Sequence, residues 1–104
     1  AGYQSDQRFT ESFIRSRINR GLGQMRIERE LKEKGIDQDL IEQSFAVEID
    51  WFELAYECGL RKFRSLDLYD YKEKQKAFRY LAYRGFSMDQ IHFAVEHYLE
   101  LQKS

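Results

Sequence analysis

The chain contains no proline among its 104 residues. Nothing in it therefore forces a break in a helix through a missing N–H or a ring clash. It has one cysteine, Cys58, which excludes an intrachain disulfide and fits a reducing, cytoplasmic setting. No apolar run approaches the roughly 20 residues of a membrane-spanning helix, and no signal peptide is visible at the start. The strict polar–apolar alternation of half-buried strands is rare. Net charge is also small, −1, which argues against a general polycationic nucleic-acid binder.

What remains is a chain built for helices. Apolar residues recur at helical spacing, which predicts an all-α fold with helices near 6–20, 24–34, 37–47, 50–63, 70–84 and 87–102. Asp6, Asp37, Asp50, Asp70 and Ser87 fit the N-cap role, since their side-chain oxygens accept first-turn N–H groups. Gly21, Gly35 and Gly85 stand where helices end in a left-handed residue.

The sequence also repeats. Leu31, Gly35, Ile36, Asp39, Ile41 and Phe45 recur fifty positions on as Leu81, Gly85, Phe86, Asp89, Ile91 and Val95. Each copy, with a preceding helix, makes a three-helix unit, the signature of stacked helical modules. The expected units are residues 1–48 and 49–104, the second with a longer loop at about 60–73.

Gly21-Leu22-Gly23 precedes the second helix and raises the possibility of a phosphate-gripping loop. Such a loop requires a strand before it and a βαβ setting. FTESFIRSRINR, the preceding segment, has helical spacing, and the third glycine and the lysine of a P-loop are absent. The expectation is a helix corner: Gly21 stops one helix and Gly23 frees the chain to enter the next. Some N–H groups at that helix start are expected to stay open to a partner's carboxylate.

Arg15 to Ile36, RxRxxxGxGxxRIxxELxxKGI, resembles the RecX family, bacterial modulators of the RecA recombinase. RKF at Arg61–Phe63, KEKQK at Lys72–Lys76 and RYLAYRGFSMDQI at Arg79–Ile91 are similar to the end of a RecX chain. Arg64 departs from the glycine common in relatives. The resemblance implies tandem three-helix repeats in an elongated, curved array. Full-length members usually carry three repeats, and Tyr3–Phe9 looks like the junction before the second. It further implies a non-catalytic negative modulator that lies in the groove of the RecA filament on single-stranded DNA. Filament extension, ATP hydrolysis and strand exchange would then be inhibited, with no cofactor. A different class of reading is a small helical protein that binds single-stranded nucleic acid directly. A monomer is the simpler expectation.

Charge is segregated: positive before residue 35, strongly negative over 35–57, positive again beyond 58. Arg15, Arg20, Arg26 and Arg29 gather around the glycine corner, where arginine forks suit acidic protein surfaces. Arg17 falls inside the apolar stripe of the first helix. It is either an anchor for a partner or a structural arginine paired with a nearby acid. On the fifth helix, Tyr71, Phe78, Leu81 and Ala82 are expected to face the core. Lys72, Lys76, Arg79, Tyr80 and Tyr83 face away, as a protein contact, a phosphate-and-base contact or a solvated face. Trp51 is expected in the core beside Ala55. His92 and His97 are five apart and cannot form an i, i+4 metal pair, so no metal site is expected. No nucleophile–base arrangement suggests an enzyme.

Overall fold

In the computed structural model, residues 3–45 and 48–103 are described, with side chains from residue 7 onward. All regular structure among them is helical: α1 (Tyr3–Asn19), α2 (Gln24–Glu33), α3 (Gln38–Ser44), α4 (Trp51–Arg64), α5 (Tyr71–Tyr83) and α6 (Met88–Gln102). The first three helices pack on one another, as do the last three. The molecule measures 55 × 24 × 19 Å with a radius of gyration of 15.7 Å. A globular chain of this length has about 13 Å, so the units are arrayed end to end.

The caps explain the helix boundaries. Asp37, Asp50, Asp70 and Ser87 accept first-turn N–H groups as expected, and Ser87 completes a reciprocal capping box with Gln90. Asp6 is the exception. The first helix begins at Tyr3 and runs through Asp6, because nothing in Tyr3–Ser5 stops upstream propagation. The third helix ends at Ser44, while residues 46–47 of its expected span lie outside the described ones. The connection expected over 60–73 narrows to 65–70, since α4 continues to Arg64 and α5 starts at Tyr71. Buried Leu68 pins that connection to the core.

Three helices end alike. After α1, α2 and α5, the glycines Gly21, Gly35 and Gly85 adopt φ of 82°, 85° and 102°. In each case the glycine N–H and the next N–H turn back to carbonyls of the last turn. This paired closure satisfies orphan carbonyls that water would otherwise have to solvate.

The fifty-residue repeat is a repeat in space. Leu31 and Leu81, and likewise Ile41 and Ile91, are completely buried at matching points. Trp51 and Ala55 join the core, with the Trp51 ring 5.9 Å from Phe45. One expectation fails on α5. Its buried stripe is Ala77 and Leu81, while Tyr71 is 74% exposed and Ala82 faces out. A small alanine on either flank of a leucine leaves the wheel ambiguous, and packing against α4 and α6 decides it.

Candidate partner-binding groove

The groove originates in a backbone contact between the two units. The corner Gly21–Gly23 presses on the end of α5. Gly23 N–H donates to the Arg84 carbonyl at 2.7 Å, and Met25 N–H to the Gly85 carbonyl at 3.1 Å. The N–H groups at the start of α2 that were expected to remain open are thus partly taken by the chain itself. A Cβ on Gly23 would lie 2.5 Å from the Gly85 carbonyl carbon and oxygen. Its φ of −88° is open to any residue, so glycine is required here for close approach, not for conformation.

Two arginines clamp this junction in opposite directions. Arg84, at the end of α5, donates to the Arg20 carbonyl (3.0 Å) and the Gly21 carbonyl (3.4 Å). Arg26, from α2, donates to the Tyr83 carbonyl at 3.2 Å. Each guanidinium sits at the carbonyl end of a helix in the other unit, where the helix dipole favours a cation. Each also lies over a tyrosine ring, Arg84 over Tyr80 at 4.9 Å and Arg26 over Tyr83 at 5.1 Å.

Beside the junction opens a groove of about 790 Å³. Arg20, Leu22 and Arg26 form one wall, α5 contributes Lys76, Arg79, Tyr80 and Tyr83, and Lys62 and Arg84 complete it. Six of its nine lining residues are cations and none is acidic. Arg20, Lys76 and Arg79 have no side-chain partner among the described residues. The arginine corner and the fifth-helix patch, two separate surfaces in the sequence, are therefore two walls of one groove.

The remaining candidates fall elsewhere. Lys72 is exposed on α5, one turn short of the groove. Arg15 borders a small recess between Ile14 and Ile49, and Arg29 one beside Met25 and Tyr83. Arg17 pairs with Glu30 at 2.9 Å and lies 4.3 Å over the Phe13 ring. Glu30 also takes Arg26 of its own helix at 3.1 Å, so one carboxylate on α2 holds both Arg17 of α1 and Arg26. Burial alone would raise the Glu30 pKa. Hydrogen bonds and charge from Arg17 and Arg26 outweigh it and hold the carboxyl below its ordinary value.

Lys62 and Arg84 were missed in the sequence reading. A signal for Arg84 exists: Arg20-Gly21, Lys34-Gly35 and Arg84-Gly85 each put a cation at a helix end before a left-handed glycine. Lys62 carries no comparable signal. The histidines serve as packing rings: His92 lies against Phe78, and His97 against Tyr56 and Phe93. Among the described residues no group of histidine, cysteine and carboxylates could hold a metal, and no helix is long and apolar enough to cross a membrane. The Cys58 thiol donates to the Gly21 carbonyl at 3.0 Å. Burial pushes its pKa up, partly offset by Arg84.

Comparison with known proteins agrees with this two-unit architecture. Residues 5–44 match the second three-helix domain of RecX, and residues 48–95 match the third. The chain belongs to the RecX family. Regulatory protein RecX of Legionella pneumophila (strain Corby) is 48% identical over 91 residues, covering 86% of this chain and 61% of that protein. Its counterpart in Vibrio vulnificus is 41% identical over 95 residues, 90% of this chain and 62% of the relative. The chain thus spans about three fifths of the length of these curated relatives. The RecX match boundaries fall on either side of residues 45–47, between α3 and α4.

Proposed function

We propose that this chain is a non-catalytic negative modulator of the RecA recombinase. It binds in the groove of the RecA filament on single-stranded DNA and opposes filament extension, ATP hydrolysis and strand exchange. Membership of a family whose relatives are named regulatory proteins supports this reading. The observation that carries the contact surface is the carboxylate-free groove, in which three cations lack an internal partner. Arginine and tyrosine side by side suit a protein interface, because both supply large contact area with directed donors.

The test is the ATPase rate of RecA filaments on single-stranded DNA as this chain is titrated in. The expected result is inhibition that weakens when Arg20, Lys76 and Arg79 are changed together to alanine. No inhibition by the parent chain would overturn the proposal, and inhibition unchanged in a folded variant would move the contact away from the groove. Direct binding to single-stranded DNA is a second reading, favoured by Tyr83, which is 76% exposed beside these cations. It predicts affinity that falls with salt at a log–log slope near −0.7 per phosphate contact.

A further inference from the structure

We infer that the groove takes a carboxylate-bearing polypeptide segment and not a phosphate chain. This rests on the proposed regulatory reading and names the chemistry of the partner. Three observations separate the two classes of occupant.

The first is the state of the tyrosines. A nucleic-acid groove uses aromatic faces as platforms on which bases stack. Here Lys62 and Arg84 lie over Tyr80 at 5.5 and 4.9 Å, and Arg26 lies over Tyr83 at 5.1 Å. Tyr80 is thus engaged by two cations and Tyr83 by one, so neither ring is a free two-faced platform, although Tyr83 keeps most of its surface exposed.

The second is the donor type. Arg20 and Arg79 are exposed forks with no side-chain partner among the described residues, on opposite walls of the groove. A guanidinium fork matches the two oxygens of a carboxylate in plane.

The third is extent. From Lys76 to Tyr83 the α5 wall advances about 10 Å at 1.5 Å per residue. That length seats about three residues of an extended peptide at roughly 3.3 Å each. The positive surface does not continue through the middle of the chain. Residues 35–57 carry carboxylates and no lysine or arginine, so a long polyanion gains nothing from that stretch and finds exposed Lys72 one turn along α5, whereas a short acidic segment fits inside the groove.

The experiment uses the full chain with two labelled probes of equal charge, a polyglutamate peptide and an oligothymidylate, read by fluorescence anisotropy at low salt. The peptide is expected to bind more tightly. Arg79→Lys, which keeps the charge but removes the fork, is expected to weaken peptide binding about tenfold, the scale of one lost charge-assisted hydrogen bond. It should change oligothymidylate binding little. Arg79 is exposed, so circular dichroism of the variant should match the parent. Tighter binding of oligothymidylate, or equal response of both probes to Arg79→Lys, would overturn the inference. The RecA ATPase assay is run beside it. Inhibition of RecA without peptide binding sinks this inference and leaves the regulatory reading standing, whereas loss of both sinks both. Relief of that inhibition by excess polyglutamate is the result the inference requires.

Discussion

Replacing Gly23 with alanine puts a methyl group where the two units touch backbone to backbone. The added Cβ would sit 2.5 Å from the Gly85 carbonyl and 2.6 Å from the Phe86 nitrogen, whereas ordinary contact begins near 3.4 Å. The corners must part by about 0.9 Å to relieve this. Such a shift stretches the Gly23–Arg84 bond (2.7 Å) and the Met25–Gly85 bond (3.1 Å) beyond useful length. Two lost backbone bonds, at about 1 kcal/mol each, or overpacking of about 1–3 kcal/mol if the corners hold, give a cost of about 1–3 kcal/mol. For a domain of this size that lowers Tm by at least about 4 °C. Thermal melts by circular dichroism measure it, and amide exchange at Met25 locates it. Gly35→Ala is the control. Its Cβ meets nothing within 4 Å, so only the left-handed φ of 85° is penalised, about 1 kcal/mol. Gly35→Ala should leave the Met25 amide protected. A Gly23→Ala protein that melts within about 2 °C of the parent, with Met25 still protected, would refute the reasoning.

Other outcomes follow from single side chains. Arg84→Ala strips the guanidinium donor from the Arg20 carbonyl and leaves the Gly21 carbonyl with the Cys58 thiol alone, and should cost about 1–2 kcal/mol in urea unfolding. Arg84→Lys should restore only part of this. Because folding lowers the Glu30 pKa, its stabilisation is complete above the ordinary carboxyl value and is lost as pH falls through the lowered one. Parent and Glu30→Gln should therefore differ by about 1 kcal/mol near neutrality and converge below about pH 4. A gap that widened on acidification would contradict the assignment. Burial raises the Cys58 pKa, so its alkylation at pH 8 should be slower than that of a free thiol and should reach the free rate in denaturant.

The helices and their ends were readable in the sequence because their causes are local. Asp37, Asp50, Asp70 and Ser87 cap through their own first turns, and the glycines need no distant partner to take positive φ. The repeat was readable because Leu31 and Leu81 obey one packing rule. The groove was readable only in halves. Its walls come from residues about sixty apart in the chain, joined by a contact whose signature is the absence of a side chain at Gly23. A missing methyl group does not reveal what it must avoid. The stripe of α5 was misread for a related reason: Ala77 and Ala82 look alike until α4 and α6 choose between them. Arg17 needed Glu30, thirteen positions away and on another helix, before its two readings could be compared on geometry.

The junction at Gly23 and Gly85 is main chain laid on main chain, and every residue brings the same main chain. The tilt between the two units is therefore insensitive to most substitution around it. Lining side chains other than the clamping Arg26 and Arg84 can be exchanged to suit a different partner while the distance between the walls stays constant. The joint behaves as a fixed-angle bracket: it sets where the two faces stand and leaves open what they display.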